Sequence, residues 1–131
     1  LAARKKTELN YSIDELLALP PGSLGQELAV YLSAKGFKLI PGYVRHDCKH
    51  ILLKYEMDEV GEGCMQFYFL GNRRYSLTVI VSVVLCLILM PEYLKKFIKE
   101  FKKGRKERGF PDIDFNKLLF LNTDQIRNQL L

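Results

Sequence analysis

The chain has only two histidines, His46 and His50, and they stand four residues apart. On a helix that spacing puts both imidazoles on one face, one turn apart, where two ring nitrogens can share a metal ion. At about 100° per residue, His46, His50 and Asp47 fall within an arc of roughly 100°. Two neutral nitrogens and one carboxylate leave a divalent ion partly uncompensated. Glu62 follows His50 after a gap of eleven residues. That gap accommodates a helix end, a turn and an antiparallel return, so Glu62 can face the histidines. Two histidines and two carboxylates would then balance a divalent charge. The competing reading is a pair of hydrogen-bonded histidines on a polar helix face, with Glu62 one of four acids in the run from Glu56 that caps or solvates a helix start.

The donor types bear on the metal. Three protein ligands plus water make a catalytic zinc arrangement, and two histidines with one carboxylate and open positions suit non-haem Fe(II) chemistry. Zinc is the first expectation. An oxidative reaction at the metal itself would favour iron or manganese, since zinc has no redox role. Asp47 is either a direct ligand or an outer partner that orients His46. Cys48 falls on the opposite side of that helix and is a poor ligand candidate.

These side chains need helices to hold them, and the apolar spacing is helical through most of the chain. Ser12 and Ser23, each followed three residues later by Glu15 or Gln26, have the form of capping boxes. They open one helix to Leu19, ended by Pro20-Pro21-Gly22, and a second up to Gly36. The third helix is expected over about 43–55 and the fourth over about 60–70, with Gly71-Asn72 as its left-handed stop. Residues 77–90 form the longest apolar stretch, interrupted only by Thr78 and Ser82. Rich in Val and Ile, it competes as a buried strand, but its fourteen residues exceed the usual strand and fall short of the roughly twenty that a membrane-spanning helix needs, so it reads as a buried core helix, with a shallow membrane-inserted helix as the alternative. Pro91 starts a further helix with Tyr93, Leu94, Phe97, Ile98 and Phe101 on one face, broken by Gly104 and again by Gly109-Phe110-Pro111. A last helix follows Thr123. The expectation is an all-α, single-domain bundle of about six to seven helices over residues 1–131, with a buried apolar central helix and residues 1–11 as a flexible basic head.

Composition agrees: 131 residues, 48% hydrophobic and 27% charged, describe one globular core. Cys48, Cys64 and Cys86 are too few for a disulfide scaffold and point to a reducing compartment. No apolar run follows the basic amino end, so no signal peptide is expected there. The net charge of +5 is local, because Lys95–Arg108 holds eight Lys or Arg against Glu100 and Glu107. A nucleic-acid binder would spread such residues over a phosphate-facing surface, and it would leave the histidines unexplained. An anionic membrane surface suits this helix-sized stretch better, and no nucleic-acid partner is expected.

The run His46-Asp47-Cys48-Lys49-His50, with Gly61-Glu62 beyond it, resembles the His-Asp-x-x-His…Glu signature of the coenzyme-Q biosynthesis family of the Coq-four type. Leu19-Pro-Pro-Gly-Ser-Leu-Gly25 is similar to that family's amino-terminal Pro-x-Gly-Ser-Leu-Gly segment. Leu89-Met-Pro-Glu-Tyr-Leu94 is similar to its Leu-x-Pro-Glu-x-Leu helix start, and Asp114–Leu121 to its carboxy-terminal segment. These segments cover most of residues 19–130 in order. The link from Gly36 to His46 is shorter than in longer members, and Lys54–Met57 stand where those have a Gly-Leu-Pro-like turn.

The resemblance implies an all-helical fold and a metal set of His46, Asp47, His50 and Glu62, with Asp47 and Glu62 as candidate catalytic carboxylates. It also implies a pocket for a polyprenyl tail and a place in ubiquinone assembly, where oxidative decarboxylation of a prenylated ring is the most concrete reaction. The alternative is a non-catalytic scaffold that presents quinone precursors to other enzymes. Expected partners are a prenylated quinone precursor or other isoprenoid lipid, an anionic membrane through Lys95–Arg108, other quinone-biosynthesis enzymes and a second copy in a homodimer. A bacterial member would sit in the cytoplasm on the membrane, and a eukaryotic one on the matrix side of the mitochondrial inner membrane.

Overall fold

Helix starts follow the caps. The computed structural model describes residues 11–109 and 114–131, so the basic head lies outside the described residues except for Tyr11. Ser12 Oγ accepts from the Glu15 amide at 3.1 Å to open α1 (Ile13–Leu17), and Ser23 Oγ accepts from the Gln26 amide at 3.4 Å to open α2 (Leu24–Lys35). Then come α3 (Val44–Leu53), α4 (Glu59–Gly71) and α5 (Leu77–Leu89). A 3-10 turn (Pro91–Tyr93) leads into α6 (Leu94–Lys106), and α7 (Phe115–Leu118) and α8 (Thr123–Leu130) complete the chain. Among the described residues the fold is all-helical, with eight α-helices where six to seven were expected. The apolar stretch that competed for a strand is helical.

The described residues divide into two compact units, one within residues 1–52 and 114–126 and the other within residues 53–113 and 127–131. In the first, Leu16, Leu24, Leu28, Leu32, Cys48 and Leu119 are fully or almost fully buried. The segment before α2 is clipped to the one before α8. The Leu24 amide donates to Leu121 O at 2.9 Å, the Gly25 amide to Leu119 O at 3.0 Å and the Thr123 amide to Gly22 O at 2.9 Å. Thr123 Oγ1 also donates to Gly22 O at 3.1 Å. Two of the segments that carry the family resemblance therefore meet and hold the unit closed.

In the second unit α4 is buried along most of its length and packs against α5 and α6. Phe67 stacks on Phe97 with ring centroids 4.8 Å apart, and Tyr68 and Phe69 are buried beside them. Asn72 Nδ2 donates to Gly104 O and Glu107 O, both at 2.9 Å, which occupies carbonyls that the end of α6 leaves open.

Three expectations need correction. The helix expected to be buried, α5, buries only Val79, Val83 and Cys86, while Leu77, Ile88 and Leu89 are 68–77% exposed. Hydrophobicity selected a helix there but could not supply neighbours to cover it. Gly104 does not break α6 but lies inside it, pressed against the Tyr68 backbone. Gly71 is helical, and the left-handed residue after α4 is Arg73, at φ 64°.

Two phenols, Tyr68 buried and Tyr55 half-buried, make stability depend on alkaline pH. Tyr55 Oη donates to Glu100 Oε2 and Tyr68 Oη to Glu107 Oε2, each at 2.5 Å. Burial first, and then the carboxylate partner, hold both phenols well above the ordinary tyrosine range. Unfolded tyrosines lose their protons near pH 10 while the folded ones keep them. Above that pH the native state binds more protons, so its stability, full below pH ~10, declines as pH rises, by roughly 1.4 kcal/mol per unit for each tyrosine. Urea unfolding across this range should show that decline, and Tyr68→Phe should make it shallower by about one tyrosine's share.

Candidate metal centre

The residues with metal-binding chemistry sit on two helices whose starts are locally encoded. Before α3, Gly42 takes φ 88°, a conformation that favours glycine, and the Tyr43 amide donates to Ile40 O at 3.0 Å. Along α3, Val44, Cys48 and Leu52 recur at four-residue spacing and are buried, as is His50 at 2% exposure; His46 and Asp47 are half-buried. His46 and His50 thus share a face, as their spacing predicts. Their Nε2 atoms are 3.2 Å apart and their rings 4.9 Å apart, inclined at 68°. That separation suits one ring donating a hydrogen bond to the other. It is also close to the roughly 3.3 Å between two nitrogens bonded to one tetrahedral zinc at about 2.0–2.1 Å.

Glu62 stands in the first turn of α4. Asp58 caps this helix, its Oδ1 accepting from the Gly61 amide at 2.7 Å, and the Glu62 amide donates to Asp58 O at 2.8 Å. Gly61 is required here because any β-carbon would fall on the Glu56 backbone, which folds tightly over the helix start. Lys54 begins that fold at φ 61°, a left-handed conformation that suits glycine better.

One ligand atom each from His46, His50 and Glu62 lie within 4.8 Å of one another. The three form a group that could hold a metal ion. Asp47 lies outside this group. Its charge, after burial, helps push the Cys48 thiol above its usual range. Burial likewise raises the Cys64 and Cys86 thiols, which keeps all three sulfurs protonated and poorly suited to ligation.

Sequence reasoning missed Gln66. It is 5% exposed, its Nε2 donates to Glu62 Oε1 at 2.9 Å, and its Oε1 is buried with no hydrogen-bond partner. The amide fixes one carboxylate oxygen of Glu62 and leaves an acceptor unmet in the interior, an uncommon cost of the kind found at functional sites. The four-residue step from Glu62 was the available signal. Two imidazole nitrogens, a carboxylate oriented by a buried amide and protonated thiols nearby fit a hard-to-borderline divalent ion such as zinc, iron or manganese.

The described residues thus form an all-helical protein with a two-histidine, one-carboxylate group suited to a metal. No protein-family model matches the chain, and no curated protein matches it. Among solved structures it is similar to a candidate ubiquinone biosynthesis protein from Nostoc punctiforme. The TM-score is 0.68 at 22% identity, over 92% of this chain and 68% of that one. At this identity the likeness shows a shared helical fold.

Proposed function

We propose that this chain binds one divalent metal through His46, His50 and Glu62 and works on a prenylated aromatic precursor in ubiquinone biosynthesis. The observation that carries the reading is the convergence of His46, His50 and Glu62. The order of the sequence signatures and the fold of the Nostoc punctiforme protein, itself described as a candidate for ubiquinone biosynthesis, add to it. Asp47 serves as a fourth ligand or orients His46, and Gln66 holds Glu62 in place. The metal, when bound, would supply Lewis acidity or, as iron or manganese, redox chemistry. The reaction is oxidative decarboxylation, in which the ring loses its carboxyl carbon as carbon dioxide and gains a hydroxyl. This is a two-electron oxidation that consumes an oxidant such as dioxygen. In this reading Glu62 and Asp47 would be the carboxylates that hold or move a proton of the substrate. The substrate would be met at an anionic membrane through the basic helix Lys95–Arg108.

Native mass spectrometry of the purified chain, with elemental analysis, tests this reading. One metal per chain and a co-purified isoprenoid lipid are expected. Protein that stays metal-free after incubation with zinc, iron and manganese would overturn it.

A further inference from the structure

The metal site does not use the exposed apolar surface of α5. Eight aliphatic side chains between Leu77 and Leu89 are 43–77% exposed. On a helical projection they span an arc of about 200°, interrupted only by Thr78. A face packed against one globular neighbour takes a stripe of roughly 100°. An arc twice as wide suits a medium that surrounds the helix. At thirteen residues α5 is about 20 Å long, short of the roughly 30 Å hydrocarbon core. No single helix among the described residues is long and apolar enough to cross a membrane. The geometry therefore suits a helix lying in the plane of one leaflet.

The flanks specify the kind of surface. Between Glu62 and Glu92 the chain contains no Asp or Glu. Tyr75, 63% exposed, follows Arg73 and Arg74 just before α5, and Tyr93, 39% exposed, lies just after it. Tyrosines and basic residues at the ends of an apolar segment belong at the headgroup level. The chain then bends by 103° between α5 and the helix that follows. On α6 a groove is lined by Lys95, Ile98, Lys99, Lys102, Lys103 and Lys106. Leu94 and Ile98 are 40% and 41% exposed, so apolar surface continues from α5 to the edge of the lysines.

We propose that α5 inserts in-plane into the outer layer of an anionic bilayer while the α6 lysines rest on its headgroups. This deepens the membrane contact of the proposed function and makes α5, rather than the basic helix alone, the anchor. It does not depend on the metal.

The chain contains no tryptophan, so Leu85→Trp supplies a clean reporter at an exposed position. With vesicles of phosphatidylcholine containing about one-third phosphatidylglycerol, the introduced indole should shift to shorter emission wavelength and be quenched by brominated acyl chains. The pair Leu85→Glu and Ile88→Glu, both on the exposed arc, should lower vesicle binding at least tenfold while circular dichroism stays unchanged. Replacing Lys99, Lys102 and Lys103 by Glu should lower it about tenfold on these vesicles. An unshifted indole would overturn the proposal, as would undiminished binding of the double-Glu variant. So would a dimer in light scattering that the double-Glu variant dissolves, because a second copy would then cover α5. Metal content of the same preparations reports on His46, His50 and Glu62 separately.

Discussion

The variant His50→Ala should purify with less than about a tenth of the metal bound by the wild-type chain, because losing a direct ligand costs more affinity than the ~10–100-fold typical when only an outer partner is removed. His50 is 2% exposed and its Nε2 lies 3.2 Å from that of His46, so the substitution removes one of two paired imidazole nitrogens. His46→Ala should act in the same direction. Glu62→Gln keeps the size of the side chain but removes the negative charge that partly balances a divalent ion, and it too should lose metal. Gln66→Leu should fall between these variants and the wild type. It removes the donor to Glu62 Oε1, weakening affinity by roughly 10–100-fold. It also removes the buried unpaired acceptor, so the stability cost should stay small. Competition against a chromophoric chelator gives this order directly, with thermal melts to separate ligand loss from unfolding. Imidazole and carboxylate must be deprotonated to bind, so acidification should release the metal. If all four variants retained wild-type metal content, the ligand assignment would be wrong.

The site was legible in the sequence where its geometry is local and illegible where it depends on packing. The spacing of His46 and His50 fixes their common face as soon as α3 forms, and α3 forms as expected. The eleven-residue gap to Glu62 left room for it to join the histidines in one group that could hold a metal. The caps at Ser12 and Ser23 were equally readable, since each is a contact between residues three apart. Gln66 was missed because a polar residue in an apolar helix carries no sign of its partner until the helix is oriented. The exposure of α5 was missed for a related reason. Hydropathy says that a segment avoids water, but whether protein or lipid covers it depends on the other elements. Gly104 was read as a break because glycine weakens an isolated helix. Its actual role, close approach to α4, is a long-range contact that no window of neighbouring residues reveals.

That approach gives the largest expected effect on stability. A β-carbon on Gly71 would overlap the Phe101 carbonyl group, and one on Gly104 would overlap the Tyr68 carbonyl group. Both obstacles are backbone, so no rotamer change makes room. In an exposed helix interior, glycine to alanine is worth about 1 kcal/mol of added stability. At Gly71 and Gly104 the sign should reverse, because α4 and α6 must move apart and loosen the contacts around Phe67, Phe97 and Asn72. Each Ala variant should lose roughly 3 kcal/mol, at the upper end of the usual overpacking cost. Gly42→Ala is the contrast, since its β-carbon would meet open space and the cost comes only from φ 88°, about 1 kcal/mol. Urea unfolding midpoints should place Gly71→Ala and Gly104→Ala well below Gly42→Ala. Midpoints in the opposite order would mean that α4 and α6 do not cross at these two glycines.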